Sequence, residues 1–419
     1  MNRPDPTAGL DAFVVGGWVR DHLLGLDPKD RDWVVVGATP DEMRRRGFRQ
    51  VGRDFPVFLH PETGEEYALA RTERKTAPGH TGFEVHAAPD VTLEEDLARR
   101  DFTVNAMAMT SEGELIDPFN GAEDLKRGVL RHVGPAFVED PLRVLRLARF
   151  AAQLDFEAAP ETVALARAMV RSGELDHLTP ERVWQELQRA MAAPRPRRFV
   201  EVLRETEALK ALFPEIDALF GVPQPERHHP EIDTGRHLLL ALDAAARLTD
   251  DPLVRFAVLL HDLGKGATPR EQWPSHRGHE ARGVPLVDRL CRRYRAPRAY
   301  HRLARLTTRH HLLVHRAPEL RPATLLKLFD ALDAFRRPET FERFLLACEA
   351  DARGREGFEN TPCAEVDYLR RAFQAVAALT ARDLPPGLEG PAVGEALRDL
   401  RRRRLARFKR EWSRQAGSA

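Results

Sequence analysis

The sequence predicts an α+β chain, with a head of about 140 residues built on a small mixed or antiparallel β-sheet with helices, followed by an all-α remainder. Three observations lead there. Up to residue 140, short apolar runs at 12–15, 33–36, 56–59, 66–70 and 129–133 alternate with turn residues. From Pro141 onward, apolar residues recur at helical spacing in 141–154, 160–172, 180–192 and 198–212, and again through 233–350. The length, 419 residues, exceeds what one hydrophobic core supports and implies roughly two to four domains. We divide the chain at 1–140, 141–225, 226–352 and 353–419.

The first strand ends in Phe13-Val14-Val15, and Gly16-Gly17 then allow a tight turn into a helix over Trp18–Leu24 that carries Arg20. Strand, glycine turn, helix start and guanidinium together form an anion site. Asp30 and Asp32 precede the next apolar run, Trp33–Val36. Side chains at i and i+2 share one face of a strand, so these two acids repel each other unless a cation lies between them. Magnesium suits them, because it binds one or two carboxylates and completes its shell with waters and phosphates. A lone D-x-D is more often a solvated loop. The glycines and arginine within seventeen residues of it point instead to phosphoryl or nucleotidyl transfer.

Glu66, at a strand edge, is a candidate third acid. The polar stretch Thr72–Ala88 reads as a mobile loop beside the site. Arg99-Arg100-Asp101-Phe102 reads as a helix start, with Asp101 able to act as N-cap and the arginines paired outward. Asp140 before Pro141 is an N-cap followed by proline at the first helical position, and Arg143, Arg146 and Arg149 lie along one stripe of the helix that begins there. Phe220–Pro230, with three prolines, reads as a linker. Pro385-Pro386 marks a break, and Arg401–Arg404 reads as a solvated helix end whose cations complement the dipole.

A second cluster starts from the apolar helix Phe256–Leu260, which ends in His261-Asp262 before Gly264. Burying two such polar side chains without a metal is costly. Imidazole and carboxylate together suit transition metals such as Ni2+, Co2+ or Mn2+. Net charge is only +1, so bulk charge does not announce nucleic acid, although 58 of the 65 basic residues are arginine, the side chain that grips phosphate bidentately. Three dispersed cysteines give neither a zinc pattern nor a disulfide framework and fit a reducing compartment. The N-terminus has no apolar signal core, and no run approaches the length of a membrane span; both observations predict a soluble, cytoplasmic protein.

Four segments stand in a telling order: Gly16-Gly17-Trp18-Val19-Arg20-Asp21, Asp30-Arg31-Asp32, Arg99-Arg100-Asp101-Phe102-Thr103-Val104-Asn105-Ala106, and Glu139-Asp140-Pro141-Leu142-Arg143. The chain resembles, over nearly its whole length, class II tRNA nucleotidyltransferases, the CCA-adding enzymes with their poly(A) polymerase relatives. Trp18 departs from that pattern, which usually has a small residue there. His261-Asp262, with His237 upstream and Asp351 downstream, resembles the HD phosphohydrolase signature, so the likeness is to bacterial members that carry an HD domain.

The resemblance implies a nucleotidyltransferase head, a helical neck and body that bind nucleotide and tRNA, an HD domain and a helical tail. It implies that Asp30 and Asp32 are catalytic and hold Mg2+, and that Gly17, Arg20, Arg100, Asp101, Asp140, Arg143, Arg146 and Arg149 bind the nucleotide. Asp140 and Arg143 would read the base, since an aspartate accepts and an arginine donates, matching the amino group and ring nitrogen that cytosine and adenine share. His237, His261, Asp262 and Asp351 would hold the HD metal, with His279, His310, His311 and His315 available for a second metal or for phosphate. The partners implied are the tRNA 3′ end, CTP and ATP, with the protein a monomer or homodimer, and the HD activities are 2′,3′-cyclic phosphodiesterase, 2′-nucleotidase and phosphatase. Rival readings are a poly(A) polymerase or A-adding enzyme, a nucleotidyltransferase/HD regulator acting on a partner protein, and an RNA-binding scaffold with dead sites. Intact Asp30, Asp32, His261 and Asp262 argue against the last.

Overall fold

The computed structural model describes residues 5–28, 30–51, 57–75, 83–86 and 88–416. The chain forms two compact units, Met1–Glu186 with Glu201–Ala211, and Leu187–Val200 with Leu212–Ala419. The head comprises β1 (Asp11–Val15), α1 (Gly17–Leu23), β2 (Asp32–Val36), α2 (Pro40–Arg45), β3 (Arg49–Val51), β4 (Val57–Leu59), β5 (Glu66–Leu69), β6 (Thr72–Lys75), β7 (Phe83–His86), α3 (Leu93–Ala98), β8 (Ala108–Met109), β9 (Leu115–Ile116), α4 (Gly121–Arg127) and β10 (Val129–Leu130). Then come α5 (Leu142–Leu154), β11 (Glu157–Ala158), α6 (Pro160–Arg171), α7 (Pro180–Ala192), α8 (Pro196–Glu205) and α9 (Ala208–Leu212). The architecture is α+β, as the sequence predicts.

Seven strands form one mixed sheet in the order β3-β4-β5-β2-β1-β8-β9, in which only β2 and β5 run parallel. Successive residues of β2 bury on opposite faces. Val34 joins Val15, Leu97 and Ala108 on the side covered by α3, and Val35 joins Met43, Phe58 and Leu69 on the side covered by α2. A strand buried on both faces reads as an unbroken apolar run, as Trp33-Val34-Val35-Val36 does. Strand register places the acids: Val15, at the end of β1, lies opposite Asp32, and Asp32 lies opposite Glu66 of β5.

The second unit contains α10 (Pro214–Asp217), α11 (Thr234–Leu248), α12 (Pro252–Leu260), α13 (Leu263–Gly266), α14 (His279–Arg293), α15 (Arg298–Val314), α16 (Pro322–Ala331), α17 (Pro338–Arg353), α18 (Ala364–Ala377) and α19 (Pro391–Ala416). α11, α12, α15 and α17 pack on one another, and α13 lies against α14. That last approach needs Gly264, because a Cβ there would overlap the His279 carbonyl. Among the described residues, no helix is long and apolar enough to cross a membrane.

Four expectations change. Thr72–Ala88 is not all loop: β6 and β7 pair antiparallel with Thr72 opposite His86, while residues 76–82 and 87 lie outside the described residues. The helix expected over 198–212 is two, α8 and α9, broken at Glu207, whose φ of 65° leaves the helical region. Arg99 and Arg100 come after the end of α3 instead of starting a helix. Arg401–Arg404 sits in the middle of α19, where Arg401 donates to the Leu379 carbonyl at 2.9 Å and stacks on Phe335, so it is not a helix end.

Candidate functional site

The β1–β2 register brings the glycine turn alongside the acid that opens β2. A cavity of about 650 Å³ forms there, and every head and neck residue expected at the nucleotide site lines it except Asp30. Asp30 precedes β2 and so lies outside the strand that Asp32 opens, and both acids are exposed. The charge of Asp30 still reaches Asp32. Loss of solvent, then Glu66, raises the Asp32 pKa; Arg100 opposes this and Asp30 adds to it. Among the described residues none of the three carboxylates is ion-paired. Uncompensated negative charge of this kind fits a divalent cation.

Gly16, not only Gly17, shapes the turn. Its φ is +74°, and a Cβ on it would come within 2.9 Å of the Arg100 guanidinium. Arg20 is buried, donating to Asn105 Oδ1 at 2.6 Å and to Asp21 at 2.8 Å. Arg99 and Arg100 turn inward onto buried Asp96 at 2.7 and 3.2 Å, not outward. Asp101 caps no regular helix. Its Oδ1 accepts from the Phe102 N–H and from Asn105, and its Oδ2 accepts from both Nε and Nη2 of Arg146 at 2.7 and 2.5 Å.

On α5 the three arginines face the cavity, each already oriented. Arg149 pairs with buried Glu186 at 2.5 Å and lies over the Phe150 ring at 3.8 Å. Arg143 donates to the carbonyls of Ala136 at 2.8 Å and Arg99 at 2.5 Å, which fixes its plane. Asp140 accepts from the Leu142 N–H at 3.1 Å, but Pro141 and not Asp140 occupies the N-cap position of α5, one residue later than expected, and the other Asp140 oxygen pairs with Arg182 of α7 at 2.8 Å and not with Arg143. The sequence did not point to Arg182, which lies far along the chain and outside any motif. Asn105, by contrast, stood within the Arg99–Ala106 motif and could have been singled out.

The second site lies in the other unit. α11 supplies His237, the end of α12 supplies His261 and Asp262, and α17 supplies Asp351, all buried. His237 Nε2 is 3.0 Å and His261 Nε2 3.5 Å from Asp351 Oδ1, and these three residues form one potential metal-binding group. Asp262 forms another with His279 and His311, at 3.2 and 3.6 Å from its Oδ1. His315 instead reaches Asp351 Oδ2 at 3.1 Å, and His310 lines the adjoining cavity without joining either group.

The Nδ1 of each of His237, His261, His279 and His311 donates to a backbone carbonyl, of Gly354, Val258, His276, and Thr307 with Thr308 respectively. The Nε2 lone pairs therefore turn inward onto the carboxylates, and those of His279 and His311 meet each other at 3.2 Å. His261 Nε2 and Asp262 Oδ1 are buried without a well-aligned hydrogen-bond donor or acceptor, and the ammonium of Lys265, 2.6 Å from Asp262 Oδ2, balances only one of the two buried carboxylates. Such a donor set repels itself unless a cation sits within it, so these residues fit a metal. Electrostatics agree. Burial lowers the His261 pKa, but Asp262 and Asp351 more than offset this and push it up to about 10, while burial holds His311 down at about 3. The carboxylates thus draw positive charge into their midst.

Behind this cluster stands a shell drawn from the expected linker, from the residue just beyond it and from Lys265. Glu231 Oε1 accepts from Nδ1 of both His229 and His237 at 3.0 Å. Since His237 keeps its Nε2 for the cluster, Glu231 acts as an orienting carboxylate more than as part of a third metal site. Gln224 bonds Glu231 at 3.2 Å and accepts from Lys265 at 2.8 Å, and Lys265 reaches Asp262 at 2.6 Å. The signal available was His228-His229-Pro230-Glu231, unusually rich in ligating side chains for a linker.

Residues 12–131 match the poly A polymerase head domain family, 155–220 the family described as a probable RNA and SrmB-binding site of polymerase A, and 234–334 the HD domain family. The head and HD matches together imply dependence on divalent metal. The chain is 62% identical over 393 residues to a multifunctional CCA protein of Nitrosococcus oceani, covering 94% of this chain and 97% of the relative. It is 61% identical over 407 residues to that of Thioalkalivibrio sulfidiphilus, covering 96% and 100%. The solved structure of the Bacillus stearothermophilus CCA-adding enzyme in complex with CTP superposes with a TM-score of 0.63 at 25% identity, over 98% of this chain and 95% of that one. The Thermotoga maritima CCA-adding enzyme complexed with tRNA shares the fold at a TM-score of 0.62 and 22% identity, over 97% and 92%. By these relatives, and by the order of its domains, the chain belongs to the multifunctional CCA protein family.

Proposed function

We propose that this chain adds C, C and A to the 3′ end of tRNA from CTP and ATP without a nucleic-acid template, and hydrolyses phosphate esters at a separate metal centre. The carrying observation is that Asp32 and Glu66 share one cavity with Asp140, Arg143, Arg146 and Arg149. Asp30, Asp32 and Glu66 hold Mg2+. When bound, that ion lowers the pKa of the attacking 3′-hydroxyl and neutralises charge building on the phosphates. Gly17, Arg20 and Arg100 receive the triphosphate, with Gly16 leaving room for the Arg100 guanidinium. Asp101 aims Arg146, and Glu186 aims Arg149, at the wall that receives nucleotide. Asp140 accepts from the amino group shared by cytosine and adenine and Arg143 donates to the ring nitrogen, so guanine and uracil meet like against like.

His237, His261, Asp262 and Asp351 hold a transition metal such as Ni2+, Co2+ or Mn2+, joined by His279 and His311, and this metal supplies a polarised water for phosphate-ester hydrolysis. Lys265 balances the charge of Asp262. The domain limits are 1–140 for the head, 141–225 for neck and body, 226–352 for the HD domain and 353–419 for the tail. The protein works in the cytoplasm, where tRNA, CTP and ATP are found.

Incubating the protein with tRNA lacking its 3′ CCA and each labelled nucleotide tests the first activity. C and A are incorporated in order, and G and U are not; absence of incorporation overturns the reading. Incorporation of A alone would favour an A-adding enzyme.

A further inference from the structure

The HD metal ligands open onto a cavity of about 1170 Å³ within the second unit. That exceeds what one phosphate fills and lies above the range of about 300–1,000 Å³ typical of pockets that enclose whole small-molecule ligands. Its wall contains Phe358, which remains 36% exposed. The Arg355 guanidinium lies over this ring at 4.5 Å and is itself held by an Nε bond to the Ala352 carbonyl at 2.9 Å.

The segment that presents Phe358 is fastened to the metal cluster. The Gly354 carbonyl accepts from His237 Nδ1 at 3.1 Å, the Glu356 N–H donates to Glu231 at 3.4 Å, and the Glu356 carboxylate accepts from Arg236 at 2.6 Å. Gly357, at φ +83°, makes the turn that carries the chain on to Phe358. Arg277 and Arg309 line the same cavity and, among the described residues, have no carboxylate partner. An aromatic face backed by a guanidinium, beside further arginines, is how proteins seat a nucleobase and its phosphates.

We propose that Phe358, backed by Arg355, seats the base of the RNA 3′-terminal nucleoside whose phosphate the HD centre hydrolyses. The proposal rests on the hydrolytic reading above and adds the part of the substrate that lies beyond the phosphate. Stacking is indifferent to base identity, so all four bases are seated alike. Arg277 and Arg309 face the phosphate next along the strand.

The test compares the full-length protein, its Phe358→Ala variant and its Phe358→Trp variant, all loaded with the same metal. The substrates are nucleoside 2′,3′-cyclic phosphates and glycerol 2-phosphate, an ester with no base. Phe358→Ala is expected to raise KM for the cyclic nucleotides roughly 5- to 100-fold, alike for the four bases, with kcat little changed. It leaves glycerol 2-phosphate hydrolysis and CCA addition at the parent level, and Phe358→Trp restores the cyclic-nucleotide KM. An equal loss on both substrates, or no loss on either, overturns the proposal. Should the unmodified protein hydrolyse neither substrate with any metal, the hydrolytic reading falls by itself. The seat is then read by the tryptophan of Phe358→Trp: quenching by a cyclic nucleotide supports it, and unchanged emission overturns it.

Discussion

Replacing Asp262 by Asn removes one charge at almost constant volume, at the point where both potential metal-binding groups and Lys265 meet. Its Oδ2 lies 2.6 Å from Lys265 and 3.3 Å from His261, and its Oδ1 lies 3.2 Å from His279 and 3.6 Å from His311. Taking one partner from a buried charge pair costs about 3–5 kcal/mol. Set against metal binding, this corresponds to an affinity loss of roughly 10² to 4 × 10³-fold. Set against folding, it is a large part of the roughly 5–15 kcal/mol that holds a domain together, so the melting temperature must be measured alongside. The assay tracks metal content, hydrolysis of 2′,3′-cyclic AMP and CCA addition in one preparation. Metal retention and hydrolysis are expected to collapse, while CCA addition stays near the parent rate, because its residues belong to the first unit. Hydrolysis within a few-fold of the parent enzyme, in a variant that melts normally, would refute the assignment of Asp262 as a ligand.

Three further outcomes concern the head. Arg143→Ala is expected to relax the choice of C and A over G and U more than it slows incorporation, whereas Arg182→Ala acts by freeing Asp140; unchanged discrimination in Arg143→Ala removes that residue from base reading. Gly16→Ala places a Cβ 2.9 Å from the Arg100 guanidinium at a φ of +74°, so CCA addition drops at least about tenfold while phosphohydrolysis persists, and an active variant would show that the turn tolerates a side chain. Burial alone would raise Asp96 and Asp101, but Arg99 and Arg100 on the one, and Arg146 and Asn105 on the other, hold both below the usual carboxylate range. Their contribution to stability is therefore complete above the unfolded pKa, about 3.9, and is lost as pH falls through the folded values. Melting temperature should decline below about pH 4, and Asp96→Asn should flatten that decline; equal acid sensitivity in the variant would count against the pairing.

The head was legible because its chemistry is local in sequence. Gly16 to Asp32 spans one connection between adjacent strands, built on the short helix α1, and Arg99 to Asn105 one short segment, so residues close in sequence supply most of the head site. Contacts fixed by tertiary packing were not legible. The pairing of Arg182 with Asp140 and Glu186 with Arg149 depends on which helix faces which. In the β6–β7 hairpin, Thr72–Lys75 has no apolar residue and Phe83–His86 alternates over only four positions, and among the described residues these strands pair with each other alone, so the pattern was too short to betray them. At the second site His237 and Asp351 lie 114 residues apart and could be joined only through resemblance, and bond geometry is what sets His279 and His311 apart from His310. Glu231 was hidden by its setting: three prolines mark a linker, yet the segment folds back to orient His229 and His237.

The most direct measurement is a crystal grown with CTP and Mn2+ and examined by anomalous scattering, which locates the ion independently of the protein atoms. The account predicts a peak coordinated by Asp32 together with Asp30 or Glu66 and by oxygens of the triphosphate. A triphosphate seated in the cavity with the ion elsewhere, or with the Asp32 carboxylate turned to solvent, would contradict it.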